Sequence, residues 1–177
     1  MHLNELILCA QFSAEERATI AEIEATTCIL KLVTRLTEMR FAGIAKFTET
    51  EWVVCAAYDP NEIGISPGDI WELETTLCSE LRRDPRSLFV PKISQDGRYS
   101  ERAVVKKYAI ESYAGVAIIL PDGRLYGALC ALDSRPMIFE DPDLEETLFL
   151  FARLIGCIFF ASLSPEDAPA AAVFNTQ

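Results

Sequence analysis

What most limits the folds open to this chain is a repeated local arrangement: two apolar segments joined by a very short link, found twice. Residues 42–48 (AGIAKFT) and 51–58 (EWVVCAAY) meet across Glu49-Thr50. Residues 113–120 (YAGVAIIL) and 124–133 (RLYGALCALD) meet across Pro121-Asp122-Gly123. Short apolar runs bounded by turn residues read as strands, and Asp-Gly between two of them is a hairpin signal. Strands linked this tightly pair antiparallel, because parallel neighbours need a long crossover.

Helical patterns stand fore, between and aft. Ser13 with Glu16 is a capping-box signature opening a helix over 14–40. In it Ala25, Cys28, Ile29, Leu32, Val33, Leu36 and Met39 recur at three-to-four spacing and predict a core-facing side. Residues 72–83 read as a helix closed by Asp84-Pro85, 87–91 as a strand and 99–108 as another helix. Asp141-Pro142-Asp143 opens the last helix, which runs to about Ser162. The order α-β-β-α-β-α-β-β-α predicts an α+β fold. A central antiparallel sheet carries the 14–40 and 143–162 helices on one face, and residues 59–108 cover the other. Residues 1–13 read as an N-terminal extension, 14–162 as the domain and 163–177 as a disordered tail.

Composition removes several classes. A chain of 177 residues, half of them apolar, buries enough surface for a core without disulfides or metals. The net charge of −11 repels phosphate backbones and predicts no nucleic-acid partner. None of the six cysteines forms a CxxC pair, and no signal peptide is visible. These features predict a reduced, cytoplasmic protein. The apolar run 147–163 is slightly short for a membrane span, contains Arg153 and has acidic flanks. It reads instead as a buried or dimerising helix. Leu144, Leu148, Phe151, Ile155 and Ile158 form one stripe on it, and Leu150, Leu154, Cys157 and Ala161 a second. Two stripes call for two partners, the sheet and a second subunit.

Catalytic signals are missing. The only histidine is His2, so no Ser-His-Asp or Cys-His arrangement is available, and there is no HExxH, P-loop or GxGxxG. A non-enzymatic protein is expected. Charge is unevenly placed. Between Arg82 and Lys107 lie eight basic residues and three acidic ones, in a chain that is otherwise acidic. That run is either a solvated face or a wall for an anionic ligand.

From Glu74 to Phe139 an ordered set of motifs resembles the GAF family of sensory domains: E-T-T-L-C (74–78), L-F-V-P (88–91), D-G-R-Y (96–99), Y-A-G-V-A (113–117), P-D-G (121–123), G-A-L-C-A-L-D (127–133) and R-P-x-x-F (135–139). The chain departs from the family pattern at Ala117 (proline), Ala128 (threonine) and Ser112 (an aromatic). The resemblance implies a small molecule held beneath the cover, biasing the terminal helices of a homodimer and regulating a downstream kinase, cyclase or other regulator. The ligand-binding residues it points to are Trp71, Thr75, Cys78, Arg98, Tyr99, Arg102, Tyr108 and Tyr113, with a small anion as one candidate ligand. Arg98, in the D-x-R-aromatic motif, is either a buried arginine or the partner of Asp96. Cys78 is either a packed thiol or a redox or attachment site. Bilin-binding relatives attach their chromophore through a cysteine commonly next to histidine, which has no counterpart here, so no bilin is expected. The alternative is a ligand-free dimerisation module with a filled interior. Either a stand-alone regulator or a piece of a longer receptor fits.

Overall fold

The computed structural model describes residues 13–163. The expected extension and tail, apart from Ser13 and Leu163, lie outside the described residues, as do His2 and Cys9. The elements are α1 (Ala14–Thr37), β1 (Phe41–Phe47), β2 (Glu51–Tyr58), β3 (Ile70–Glu72), α2 (Ser79–Arg83), β4 (Ser87–Val90), α3 (Ala103–Tyr108), β5 (Ser112–Ile119), β6 (Leu125–Asp133) and α4 (Leu144–Ser162). Short 3₁₀ turns cover Leu73–Thr75 and Ile93–Gln95.

Six strands form one antiparallel sheet in the order β3-β2-β1-β6-β5-β4. Both expected hairpins are present, and β1 and β6, the first strand of one and the second of the other, pair at the centre. Strand alternation sends successive side chains to opposite faces. On one face Ile44, Leu129 and Ala131 pack with Leu30, Val33, Leu148 and Ile155 of α1 and α4. On the other, Phe41, Val54, Ala128, Cys130 and Leu132 pack beneath Ile65, Leu73, Leu77, Leu81, Ile93 and Val104 of the cover. The α+β layering therefore matches the sequence expectation.

The alternation breaks twice. Pairing of β1 with β2 slips between Ile44 and Ala45, passing over Cys55. Pairing of β5 with β6 slips between Ile118 and Ile119, passing over Tyr126. Each slip is a bulge, which leaves one residue unpaired and re-aims the strand. The two unpaired residues meet on the helix side, with Cys55 Sγ 3.5 Å from the Tyr126 hydroxyl.

The capping box of α1 is complete: Glu16 N–H donates to Ser13 Oγ and Ser13 N–H to the Glu16 carboxylate, at 3.1 and 2.7 Å. The buried side of α1 is Thr26, Ile29, Leu30, Val33 and Thr37, while Cys28, Leu32 and Leu36 are exposed. The expected core face was thus rotated from the true one. The helix carries apolar residues on two flanks, and periodicity alone does not say which flank meets the sheet. The expected helix over 72–83 is also corrected. Residues 70–72 pair with β2 as an edge strand, a 3₁₀ turn follows, and only Ser79–Arg83 is α-helical.

Asp133 closes the sheet end. Fully buried, it accepts from the backbone N–H groups of Arg40 and Arg135, at 3.0 and 2.9 Å, and from both guanidinium groups. Burial pushes its carboxyl up, but the Arg135 bonds and the two arginine charges outweigh this and hold it below the usual aspartate range. The last residue of G-A-L-C-A-L-D is therefore a clamp between the start of β1 and the exit of β6.

Candidate functional site

The glycines decide how the covered face is filled. Cys130 lies at the centre of β6, opposite Gly43 of β1 and Gly115 of β5. A side chain at Gly115 would meet the Tyr113 ring, whose hydroxyl lies 2.3 Å from where its Cβ would be. The Phe41 ring stands within 3.0 Å of the corresponding point at Gly43. Two aromatic rings therefore fold over two bare strand positions and flank Cys130. The Cys130 sulfur also contacts the Gly43 carbonyl at 3.7 Å.

The cover brings Cys78 down onto this floor. Its sulfur lies 3.0 Å from the Tyr113 hydroxyl, in the same buried cluster as Cys130. The Trp52 indole N–H of β2, buried and without a well-formed hydrogen bond, also faces Cys78. Hydrogen bonding from Cys130 pulls the Cys78 thiol pKa down against the opposing effect of burial, with Tyr113, Trp52 and the Arg102 charge acting in the same sense as Cys130. The partner shifts in the opposite direction: its bond to Cys78, together with burial, pushes the Cys130 thiol well up. Burial also holds the Tyr113 phenol protonated far above its usual range.

Arg102 roofs the group. It donates to the Thr76 carbonyl, to Ser79 Oγ at 2.6 Å and to Glu80 at 2.9 Å, and lies 5.1 Å from the Tyr99 ring centroid. It is mostly buried and its hydrogen bonds join the start of α3 to α2 and the segment preceding it. Arg102→Ala should slow nothing chemical but loosen the cover: amide exchange at residues 76–81 is expected to accelerate at least tenfold relative to the centre of β6. That factor corresponds to about 1.4 kcal/mol of local opening free energy, a modest share of a charged hydrogen-bond set. Unchanged exchange there would remove Arg102 from this role.

The expected site residues fall into three places. Cys78, Tyr99 and Tyr113 are buried in the covered interior, with Arg102 above them. Trp71 and Tyr108 meet edge to face at 5.8 Å, but at the sheet edge, where Lys107 lies 4.5 and 5.0 Å from their rings. Thr75 and Arg98 lie outside the interior. Thr75 Oγ1 donates to the Glu72 carbonyl, and Arg98 is exposed and paired with Asp96 at 2.7 Å. Arg98 as a buried arginine is corrected; its Asp96 pairing is the reading that stands. Trp52, Phe41 and Cys130 were missed. Strand alternation in β2 and β6 points Trp52 and Cys130 inward, but no local signal shows that Cys78 lies over them.

Six of the eight residues of the basic run are committed to partners within the chain. Arg82 bonds the Thr48 and Glu49 carbonyls, Arg83 pairs with Glu74 and Glu80, Arg86 with Asp84, Arg98 with Asp96, Arg102 with Glu80 and Lys106 with Glu101. Arg83, Arg86, Arg98 and Lys106 are exposed, in keeping with a solvated face, whereas Arg102 is mostly buried. Among the described residues, no group of three or more His, Cys, Asp or Glu side chains has metal-binding spacing, and no helix is long and apolar enough to cross a membrane.

Comparison with known proteins places this arrangement. The chain is similar to a far-red cyanobacteriochrome photoreceptor, with a TM-score of 0.68 at 15% identity, covering 91% of this chain and 97% of that one. It is similar to the blue-light absorbing form of the Thermosynechococcus elongatus PixJ GAF domain, with a TM-score of 0.64 at 12% identity and coverage of 85% and 94%. It also resembles the GAF domain of an Acinetobacter phosphoenolpyruvate-protein phosphotransferase, with a TM-score of 0.60 at 15% identity and coverage of 75% and 78%. No curated protein sequence matches. The GAF domain family profile matches residues 23–158, spanning both hairpins and most of the two long helices, and the chain belongs to that family.

Proposed function

We propose that this chain is a cytoplasmic regulatory domain of a signalling system, in which the covered interior is the input and a homodimer through α1 and α4 is the output. The observation that carries the reading is the outer side of α4. Leu150, Leu154, Cys157 and Ala161 are exposed and follow a four-three-four spacing, on the side opposite buried Leu148, Ala152, Ile155 and Phe159. That spacing is the seam of a coiled coil. At its N-terminal end α1 adds a second incentive, because residues 14–21 are exposed on every side. Helical turns without a packed face are marginal on their own, and a neighbouring helix stabilises them.

A second copy of the chain satisfies both. In a parallel symmetric pair Cys157 faces its counterpart across the seam. Leu150→Glu with Leu154→Glu should therefore give a monomer in sedimentation, with unchanged far-UV circular dichroism. A doubly substituted protein that sediments like the wild type rules the seam out.

A ligand beneath the cover is the finer form of the proposal. The alternative, a ligand-free interaction module, draws on the burial of Phe41, Trp52, Tyr99 and Tyr113 in that interior. Native mass spectrometry separates them. A co-purifying small molecule supports ligand sensing, whereas the bare polypeptide mass supports the ligand-free module.

A further inference from the structure

We infer that Cys78 and Cys130 are a paired redox site, oxidised by a small hydroperoxide to a disulfide that fastens the cover to the central strand of the sheet. The pairing follows from geometry. Cys130 is in register with Gly115, the Tyr113 hydroxyl occupies the space above Gly115, and the Cys78 sulfur lies 3.0 Å from that hydroxyl. Cys78 is therefore held over Cys130, with both thiols fully buried in the same interior. The surroundings suit a thiolate on one of them. The Tyr113 hydroxyl, 3.0 Å away, is the donor once Cys78 is a thiolate acceptor, Arg102 supplies positive charge, and the Trp52 N–H, buried without a well-formed partner, is available to a sulfur anion. A thiolate is the reactive form, and the neighbouring thiol is the resolving group.

The chemistry balances with hydrogen peroxide as the oxidant. The Cys78 thiolate attacks one peroxide oxygen. An S–O bond forms as the O–O bond breaks, and the departing hydroxide takes up the proton that Cys78 had released, giving water. The Cys130 sulfur then attacks the Cys78 sulfenic acid. The S–S bond forms as the S–O bond breaks, and hydroxide leaves with the Cys130 proton as a second water. The two cysteines lose two electrons, and one peroxide becomes two waters. Both sulfurs are buried, so the oxidant enters by local opening of the short cover segment around Ser79–Arg83. Bond formation draws that segment toward β6.

The site is independent of the dimer seam, and the test keeps the two apart by using the full chain with Cys157→Ser. The protein is treated with hydrogen peroxide, its free thiols are blocked with N-ethylmaleimide under denaturing conditions, and it is digested without reduction. The expected result is a cross-linked peptide pair containing Cys78 and Cys130, restored to free thiols by dithiothreitol. Cys130→Ser should instead leave a Cys78 sulfenic acid that dimedone traps. Recovery of both cysteines as maleimide adducts, after the exposed Cys28 and Cys55 have been oxidised, would overturn the inference, and this readout needs no variant at either buried position. Failure of dimerisation is read separately, by sedimentation of the untreated protein.

Discussion

Gly127→Ala should lower the melting temperature of this domain by about 10 °C. An alanine Cβ at that point would lie 1.8 Å from the Ala45 carbonyl oxygen and 2.9 Å from the Lys46 Cα, both backbone atoms that cannot turn away. The crowding lies where Gly127 is in register with Lys46 across the two central strands, beside the bulge at Tyr126. Relief requires the two central strands to separate over a hydrogen-bonded pair. Overpacking of this kind costs about 3 kcal/mol, and a domain of this size loses roughly 2–4 °C per kcal/mol. Gly97→Ala is the control, since a Cβ there meets nothing within 4 Å. Equal melting temperatures for the two variants would show that the close approach is not a constraint.

Asp133→Asn carries the second large effect, a loss of about 3 kcal/mol at neutral pH. The substitution keeps the shape but removes the charge that binds two arginines, and it replaces one acceptor oxygen with an amide donor facing backbone N–H groups. Charged hydrogen bonds contribute about 1.5–3 kcal/mol each, but both arginines are partly exposed and recover solvation. The pH dependence identifies the cause. The folded pKa lies below the ordinary value of 3.8, so the folded state binds fewer protons than the unfolded one as pH falls through this range. The charge-dependent stability is fully present above 3.8 and is lost as pH drops through the lower, folded value. Denaturation curves of wild type and variant should accordingly differ most at neutral pH and draw together in acid. A constant gap down to the acid limit would assign the loss to shape rather than charge.

Both effects belong to motif residues whose importance is visible in the sequence but whose reasons are not. Gly127 and Asp133 stand in G-A-L-C-A-L-D, where a strand glycine already suggests close backbone approach and a terminal aspartate suggests a local turn bond. The identity of the approaching atom, the Ala45 carbonyl, and of the distant clamp, Arg40, required two segments separated by more than eighty residues to come together. Much of the site shows the same division. Cys78, Tyr99 and Tyr113, pointed to by the motif resemblance, lie in the covered interior. Cys130, buried in the same cluster as Cys78, is not singled out by the sequence, because nothing near residue 130 records what lies above the sheet.

Local geometry explains what was readable from the chain alone. A capping box, a two-residue link and the alternation of a strand depend on atoms within a few residues, so the capping of α1, both hairpins and the α+β class follow from residue order. Tertiary packing decided the rest. It chose Leu30 over Leu32 as the inward side of α1, turned 72–78 from helix into an edge strand and irregular cover, and sent Arg98 to solvent while drawing Arg102 inward. Each of these choices compares burial or ion pairing across segments far apart in sequence, and an apolar or charged residue offers equal local reasons for either outcome.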